Sequence, residues 1–364
     1  MRIRSARTLV FSREGADLVG FNYLSGASFA CSADLIGFLT ALDQWTDPGD
    51  LPALVPGLTP EELRSTTGDL VEVTALIEED GALAAAEADL ETDWRWGLPA
   101  ALFHFSLRDR DFMAIEEVEQ LQMARIASVS QPGFYDRNDR AGALPLPSAS
   151  AGNELIALMA KRRTVREAMP TVIGLSALSD CLFAGMGIVG QTENCVGTLP
   201  LSMTPSGGAR NPYEAYVYAR SVEGLEPGFY HYAAIDHTLA RVDTDALPLP
   251  SELLGGQPWT DAMPCILLLY ARFERTMWKY DDANAYRVVL IEAGHIGQNV
   301  MLAATRRGLS ACPTAALNHS RINACIAPQA RLTHAPIYAL TLSHPCAATI
   351  AAAHERPAAV DAAA

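Results

Sequence analysis

The stretch YRVVLIEAGHIGQNVMLAATRRGLSACP, residues 286–313, sets the architecture of the C-terminal half of this chain. Apolar residues recur in it at helical spacing, which predicts a long, largely buried helix over residues 286–307. Glu292, His295 and Asn299 share one face of this otherwise apolar helix. A Glu-x-x-His pair resembles half of a di-iron site, but no second copy occurs in the sequence. We therefore interpret the three as polar groups satisfied at a buried subunit interface.

Segments with strand patterns lie on both sides of this helix in the sequence. Residues 213–219 alternate as a strand does, residues 264–271 form a continuous apolar run, and residues 336–343 resemble a final strand. A further helix is predicted over residues 175–183. Helices and strands interleaved in this way predict a layered α+β or α/β sheet in a domain that spans residues 151–345.

The first 90 residues predict a separate small module. Ser32 is placed to cap one helix, and Thr59-Pro60-Glu61-Glu62 has the form of a capping box with proline at the first helical position. We expect Gly81 to begin a turn that leads into a strand. Helix, helix and a short strand pair suggest a winged-helix module, so residues 1–90 are assigned to one.

Two further segments complete the division of the chain. Residues 91–150 are a connector, which begins with an aromatic cluster that needs a partner surface and ends in a linker rich in Pro, Gly and Ser. His104, within this cluster, is expected to be a packing residue and not a catalytic one. Residues 346–364 form an Ala-rich tail, which we expect to be frayed or disordered.

Composition argues against several classes of function. The net charge of −15 disfavours a nucleic-acid partner, because such proteins usually present a basic face. The seven cysteines are odd in number and include no C-x-x-C pair, which favours reduced thiols in the cytoplasm over disulfides or a structural zinc site. The most apolar stretch, residues 262–271, has about half the length that a membrane helix needs. We therefore predict a cytoplasmic protein without a metal site or a membrane segment.

In so acidic a chain, a run of basic residues marks a place where an anion could bind. KRRTVR, residues 161–166, holds four basic residues. A helical spacing of four would put Arg162 and Arg166 on one face, where their guanidinium groups match the oxygens of a phosphate. Arg163 adds a third guanidinium and Thr164 a hydroxyl. The alternative is a solvated helix end, where the helix dipole favours cations, and the residues alone leave both interpretations open.

A second candidate is the turn PSGGARNP, residues 205–212. Gly207 and Gly208 would let the backbone approach a flat ligand closely, with N–H groups free to donate. Ser206 and Asn211 could hydrogen-bond the edge of a heteroaromatic ring. The alternative is an ordinary turn before the strand that follows.

Two shorter motifs remain. Lys279 and Tyr280 are adjacent, and either could act as a base if burial lowered its pKa, although the pair could equally lie on an amphipathic surface. GMGIVG, residues 185–190, fits a dinucleotide-binding fingerprint by letter. It follows a predicted helix instead of a strand, so we reject it as such a site.

Taken in order, these motifs resemble one family. KRRTVR resembles the RRSxR opening of nitroreductases, and PSGGARNPYEAYVYA resembles their Pro-Ser turn and the strand after it. GLEPGFYHY, RFERTMWKY, the stretch 286–313 and PIYALTLS follow in sequence. The ordered set, over residues 154–345, is similar to the SagB-type dehydrogenases of streptolysin maturation, a branch of the nitroreductase-like flavoproteins. Residues 1–90 more loosely resemble the winged-helix, PqqD-like modules that bind leader peptides.

The resemblance implies a nitroreductase-like α+β sandwich, a homodimer, and FMN held at the subunit interface. We expect the basic run and the glycine turn to converge on a single FMN. The cofactor-binding positions that it implies are Arg162, Arg163, Thr164 and Arg166 for the phosphate and ribityl chain, Pro205, Ser206, Gly207, Gly208 and Asn211 for the ring, and Thr314 and Ala315 for the N5 edge. Lys279 and Tyr280 match the catalytic pair. Asn211 departs from the family pattern, since this branch often has His there. The basic residues that many nitroreductases place after the last strand are missing.

The function that the resemblance implies is FMN-dependent oxidation of a ribosomally synthesised precursor peptide during its maturation, for example of an azoline to an azole. Lys279 or Tyr280 would remove a Cα proton while hydride passes to the flavin. Residues 1–90 would hold the leader peptide or a partner protein of a maturation complex. Two alternatives stay open: an NAD(P)H-dependent nitro or quinone reductase, and a catalytically inactive peptide-binding scaffold of such a complex.

Overall fold

The computed structural model describes residues 1–129, 144, 153–244 and 247–346. Most of the predicted Pro-, Gly- and Ser-rich linker lies outside the described residues, and so does the Ala-rich tail beyond Cys346.

The N-terminal part begins with strands and continues with helices. Its elements are β1 (Ile3–Ser5), β2 (Leu9–Glu14), β3 (Asp17–Asn22), β4 (Ser28–Cys31), α1 (Ala33–Ala41), α2 (Leu51–Leu54), α3 (Pro60–Glu72), β5 (Leu76–Glu78), α4 (Ala82–Asp93), α5 (Gly97–Ser106) and α6 (Ile115–Ser128). Strands β2, β3 and β4 form an antiparallel sheet, and β1 pairs with β5.

Both predicted helix caps in this part are confirmed. The Ser32 hydroxyl accepts the Leu35 N–H at 3.1 Å, and Thr59 and Glu62 form a reciprocal capping box. The predicted strand after Gly81 is wrong, because Gly81 is the N-cap of α4. The sequence ALAAAE behind it is rich in strong helix formers, and the strand lies earlier, at β5.

The C-terminal part interleaves helices and strands as expected. Its elements are α7 (Glu154–Lys161), α8 (Leu175–Met186), β6 (Ile188–Asn194), β7 (Gly197–Ser202), β8 (Tyr213–Ala219), β9 (Gly228–Ala233), β10 (Thr238–Val242), α9 (Pro250–Leu253), β11 (Cys265–Arg272), α10 (Phe273–Met277), α11 (Asn284–Arg306), β12 (Ser310–Thr314), α12 (His319–Ile326) and β13 (His334–Ser343). Short 3₁₀ turns occupy Gly207–Ala209 and Pro258–Ala262.

A six-stranded antiparallel sheet forms the centre of this part, in the order β10-β9-β8-β11-β13-β12. The predicted buried strand is β11, which pairs with β8 on one side and β13 on the other. The predicted long helix is α11, which packs against α8 and the sheet. Glycines allow this close packing: a Cβ on Gly297 would lie 2.6 Å from the Tyr338 ring, and one on Gly185 would lie 2.8 Å from Val300. The α+β sandwich is therefore confirmed.

The aromatic connector packs into the core of the C-terminal part. Trp94, Trp96 and His104 are buried there beside Phe273 and Tyr286. His104 Nδ1 lies 3.0 Å from the Tyr286 hydroxyl oxygen. Burial lowers the pKa of His104 well below its usual value, so the imidazole stays neutral. The expectation that this histidine serves packing is consistent with this position.

The rest of the N-terminal part has a core of its own, formed by residues of β1, α1, α3 and β5 such as Ile3, Leu42, Leu63 and Leu76. In the ranges that the structure describes, no helix combines the length and apolar character needed to cross a membrane.

Candidate functional site

The basic run does not continue the helix before it. Helix α7 ends at Lys161, Arg162 is its C-cap with an extended backbone, and the residues after it up to 168 belong to no helix or strand. The prediction that helical spacing puts two guanidinium groups on one face is therefore wrong. Thr164 and Val165 are β-branched and favour extended backbone, and Val165 is 3% exposed and anchors the segment in the protein. Arg162 contacts the Thr164 hydroxyl at 3.4 Å, and Arg163 donates to the Ala160 carbonyl at 2.8 Å.

The end of this segment lies beside the predicted N5 loop. The Arg166 guanidinium carbon is 5.9 Å from the centroid of the Trp259 ring. The Trp259 indole donates to Gln257 at 3.1 Å, and Gln257 donates to the Thr314 hydroxyl at 3.2 Å. Burial raises the pKa of Cys312, and the charge of Arg166 opposes that rise. We call Arg162, Arg166, Gln257 and Thr314, with the exposed Ala315 next to them, the basic side.

No described carboxylate neutralises the guanidinium groups of the two arginines on the basic side. Within the described ranges, neither Arg162 nor Arg166 forms an ion pair. A guanidinium that is not neutralised by a carboxylate can bind a phosphate without first breaking a salt bridge. The donor chemistry of the basic side therefore fits a phosphate group.

The glycine turn, residues 205–212, is strongly bent. Gly208, Ala209 and Asn211 all have positive φ, at 63°, 53° and 45°. Such angles cost little for glycine and are uncommon for alanine, so contacts elsewhere must hold the turn in this shape.

Glu292 of helix α11 supplies those contacts. One carboxylate oxygen accepts the Gly207 N–H at 2.6 Å, and the other accepts the Ser206 hydroxyl at 3.0 Å. Asn299, two turns further along α11, donates to the Thr204 hydroxyl at 3.0 Å. Glu292 and Asn299 have partners in the same chain, so neither needs a second subunit to satisfy it, and their placement at a subunit interface stays a prediction. His295, on the same helix, is exposed.

The polar groups expected to meet a ring edge are bonded within the turn. The Ser206 hydroxyl, besides donating to Glu292, accepts the Asn211 N–H at 2.9 Å. The Asn211 amide accepts from Ser202 at 2.9 Å and donates to the Pro200 carbonyl at 3.1 Å. These groups therefore shape the turn, while Pro205 is exposed. Their contact with a flavin stays a prediction.

The Lys-Tyr pair lies against the turn. Lys279 and Tyr280 follow helix α10, and a Cβ on Gly208 would lie 2.5 Å from Lys279 Nζ and 2.7 Å from the Tyr280 hydroxyl oxygen. The absence of a side chain at Gly208 is what admits the pair. Trp96 of the connector donates to the Tyr280 carbonyl at 2.8 Å and so fixes its backbone. Both side chains are exposed, Tyr280 by 36%, so this chain alone does not bury the pair. Burial would favour a neutral, basic lysine but would disfavour an ionised tyrosine, so the expected effect of burial applies to a lysine only.

A cavity of about 480 Å³ opens on the other face of the turn. Ser206, Asn211, Glu292 and Tyr232 are among the residues that line it. Of the described residues, those on the basic side do not contribute to its lining. The basic side therefore takes no part in this cavity at the turn.

Glu214 and Arg275, two of the charged groups that line this cavity, are paired. Glu214 forms ion pairs with Arg275 and with His231. Burial alone would raise the pKa of Glu214, but the hydrogen bond from His231 and the charge of Arg275 outweigh it, and the pKa is lowered. Arg275 also donates to the Asn211 carbonyl at 3.0 Å, which ties this ion pair to the turn.

Three residues that position the site were missed as such from the sequence: Glu292, Trp96 and Gln257. The only signal for Glu292 was a carboxylate on an otherwise apolar helix, and Trp96 stood out only as a member of an aromatic cluster. Nothing in the sequence singled out Gln257. Among the residues that the structure describes, no group of three or more His, Cys, Asp or Glu is arranged to hold a metal ion.

Known proteins resemble this chain in sequence. The model of the nitroreductase family matches residues 159–344, just over half of the chain. A protein of Methanocaldococcus jannaschii named as a nitroreductase is 33% identical over 166 residues, which cover 45% of this chain and 80% of that protein.

Two further relatives carry names that refer to peptide processing. The trifolitoxin-processing protein TfxB of Rhizobium leguminosarum bv. trifolii is 33% identical over 127 residues, 34% of each protein. The microcin B17-processing protein McbC of Escherichia coli is 33% identical over 111 residues, 29% of this chain and 40% of McbC. The chain thus spans well under half the length of these two relatives.

Two solved structures are similar to part of this chain. The E. coli microcin synthetase McbBCD complex with truncated pro-MccB17 contains a chain that is 18% identical, with a TM-score of 0.48, and the match covers 75% of this chain and 96% of that one. A structure described as a nitroreductase of Ralstonia eutropha JMP134 is 23% identical, with a TM-score of 0.44, and covers 56% and 89%.

Proposed function

Because the chain belongs to the nitroreductase family, we propose that it is an FMN-dependent dehydrogenase that oxidises a ribosomally synthesised peptide during maturation. The observation that carries the proposal is the contact of Lys279 and Tyr280 with Gly208. It puts an amine and a phenol against a bent backbone turn, next to groups suited to a flavin. The names of the relatives TfxB and McbC support a peptide as the substrate.

The residues of the chain fit FMN in two respects. Arg162 and Arg166 would hold the phosphate, with Arg163 and Thr164 beside them. Gly207 and Gly208 would offer backbone, free of Cβ atoms, to the ring, and Thr314 and Ala315 would border its other edge. When bound, FMN would accept the hydride, and with it the two electrons, that the peptide loses.

One complete site would combine the basic side of one copy of the chain with the turn of a second copy. In one chain the cavity at the turn is not lined by the basic side, and a second copy would bring the two regions together. Apolar side chains that a second copy could cover are exposed on α7 and α11: Leu155 by 54%, Met159 by 42% and Ile291 by 50%. We therefore propose a homodimer.

The chain's own chemistry would be proton transfer and positioning. Lys279 Nζ or the Tyr280 hydroxyl would remove the Cα proton of the residue to be oxidised, and Trp96 would hold the backbone of the pair in place. The second copy and the peptide would exclude water from the pair, which is exposed in a single chain. The winged-helix-like N-terminal part would hold the leader peptide or a partner protein in the cytoplasm.

The proposal is tested with purified protein, FMN and a peptide that contains an azoline. We expect Lys279→Ala and Tyr280→Phe each to lower turnover by roughly 10²- to 10⁴-fold while FMN affinity stays within about threefold. Asp281→Asn is the matched control, because Asp281 is adjacent and its side chain is 80% exposed. Turnover at the unmodified rate in both variants would refute the role of the pair. A protein that cannot bind FMN yet binds a leader peptide would point instead to a scaffold.

One observation favours a second function, an NAD(P)H-dependent nitro or quinone reductase. The nitroreductase-named relative of M. jannaschii is matched over 80% of its length, far more than the peptide-processing relatives. Rapid bleaching of bound FMN by NADPH, coupled to reduction of a nitroarene and with no oxidation of azoline peptides, would establish this alternative.

A further inference from the structure

We propose that Glu292 is a positioning residue, whose ionised carboxylate fixes Ser206 and Gly207 so that Gly208 faces Lys279 and Tyr280. The fixing of the turn is a property of the chain by itself. Its effect on catalysis rests on the proposed function.

The hydrogen bonds around Ser206 require an acceptor at both oxygens of Glu292. Ser206 Oγ already accepts the Asn211 N–H at 2.9 Å, so its own hydrogen is free to point to Glu292, 3.0 Å away. The second oxygen accepts the Gly207 N–H at 2.6 Å. A carboxylate satisfies both donors, whereas a protonated carboxyl would compete with Ser206 as a donor.

The position of the Glu292 carboxylate lets it fix the backbone next to the Lys-Tyr pair. Glu292 is 5% exposed and projects from the middle of α11, where the helix is rigidly packed. Gly207, whose N–H it holds, immediately precedes Gly208. Gly208 has no side chain, so its backbone itself lies against the Lys-Tyr pair. A shift of the Gly207 amide would therefore move the surface that the pair contacts.

The surroundings of Glu292 make the arrangement sensitive to pH. Burial raises the pKa of Glu292, and the hydrogen bonds from Gly207 and Ser206 together with the charge of His295 oppose the rise. From β8, Tyr213 faces the same space, and burial and the charge of Glu292 raise its pKa well above the usual value. Lys279 lies across the turn at Gly208. Since the pKa of Glu292 is raised, its proton returns at a higher pH than in a free glutamate, and the turn should loosen as pH falls.

The first experiment uses the protein without FMN and measures amide hydrogen exchange at Gly207. We expect Glu292→Ala to accelerate exchange by roughly 10- to 100-fold, since a hydrogen bond to a charged partner is lost. Asn299→Ala is the matched control, because it removes a bond from the same helix to the same loop, at Thr204. We expect it to change exchange at Gly207 by less than about threefold. An unchanged rate in Glu292→Ala would overturn the proposal.

The second experiment uses Glu292→Gln, which keeps an acceptor for Gly207 but presents a donor to Ser206, as a protonated carboxyl does. After division by the intrinsic exchange rate at each pH, we expect Gly207 in this variant to exchange roughly 3- to 10-fold faster than in the wild type at neutral pH, and to show no further acceleration at acid pH. His295→Gln separates the contribution of the nearest imidazole. If the wild type and Glu292→Gln share one pH profile for exchange, the carboxylate is not the group that responds.

The two proposals fail in different ways. If the turn loosens in Glu292→Ala but FMN does not bind the wild type, the proposed function fails and the positioning role stands. If FMN binds and azoline peptides are oxidised, yet Glu292→Ala keeps both the wild-type exchange and the wild-type turnover, the positioning role fails alone.

Discussion

The glycine turn and the basic side are built in opposite ways. In the turn, the polar groups of Ser206, Asn211 and Glu292 bond to one another, and the backbone is held in angles that it would not adopt unaided. On the basic side, Arg162 and Arg166 are free of ion pairs with other described residues. The turn thus provides a fixed shape, while the basic side keeps charge available for a ligand. Affinity for FMN should depend mainly on the basic side, and turnover mainly on the turn.

The largest effect should follow from removing the free guanidinium groups. We expect Arg162→Ala combined with Arg166→Ala to weaken FMN binding by roughly 100-fold or more, because each charge-assisted hydrogen bond is worth about 1.5–3 kcal/mol. The measurement is a fluorescence titration of FMN. Lys161→Ala, which removes one charge at the end of α7, should change affinity by less than about threefold. Equal losses in both variants would mean that net charge alone matters.

A side chain at Gly208 should act on turnover. The φ of 63° disfavours Gly208→Ala, and its Cβ would displace Lys279 and Tyr280. We expect turnover of an azoline peptide to fall roughly 10- to 100-fold with FMN affinity nearly intact. Gly68→Ala is the control, since Gly68 lies in helix α3 with open space around it. If Gly208→Ala lost FMN more than turnover, the division of labour between the two regions would be wrong.

The partly buried Glu274 and the buried Glu292 should respond to pH in opposite directions. Burial alone would raise the pKa of Glu274, but hydrogen bonds from His334 and its own backbone, with the nearby charges, lower it to about 2. Its contribution to stability is present above the unfolded pKa of about 4.3 and is lost as pH falls toward 2. The pKa of Glu292 is raised because the cost of burying its charge exceeds what its hydrogen bonds return, so its contribution to global stability is greatest below about 4.3 and declines as pH rises through the folded value, even though the ionised form is the one that holds the turn.

Thermal unfolding between pH 3 and pH 8 checks this contrast. Glu274→Gln should reduce the loss of Tm on acidification, and Glu292→Gln should reduce the loss on the way from acid to neutral pH. The wild type is the reference for both slopes. Parallel curves for the wild type and both variants would contradict the assignment.

The smallest effect should come from the connector. Trp96→Phe removes the hydrogen bond to the Tyr280 carbonyl but keeps an aromatic ring, so we expect about 1 kcal/mol of lost stability and a fall in turnover of about fivefold. Trp94→Phe is matched to it, because the Trp94 indole donates at 3.2 Å to Gly97 within the connector itself. Its turnover should be preserved. A larger loss in Trp94→Phe would mean that general packing, and not the hold on Tyr280, matters.

The sequence predicted those elements whose pattern is long or locally determined. Helix α11 and strand β11 follow from periodicity and apolar content, and the caps at Ser32 and Thr59 depend on residues only three positions away. The pattern does not reveal alanine-rich α4, because a glycine such as Gly81 is typical of a turn as well as of a helix N-cap, and here it is the N-cap.

The site was harder to predict because its contacts join distant parts of the chain. Glu292 meets Gly207 across 85 positions, and Trp96 meets Tyr280 across 184. Periodicity identifies the face of a helix on which a residue lies, but not the loop that packs against that face. The motif at residues 205–212 was recognised, yet whether its polar groups point to a ligand or to one another depends on such a partner.

The bond from Trp96 to Tyr280 bears on how the protein should be divided for expression. A minimal fragment cut at the start of the matched family region, near residue 159, would discard Trp94, Trp96 and Phe105, which lie in the same hydrophobic core as Phe273. Such a fragment would expose that core and release the backbone of the pair. A cut just ahead of residue 90 would keep these residues and the bond to Tyr280 but would still remove Tyr23 from the core, so the functional boundary lies at least about seventy residues before the boundary of the family match.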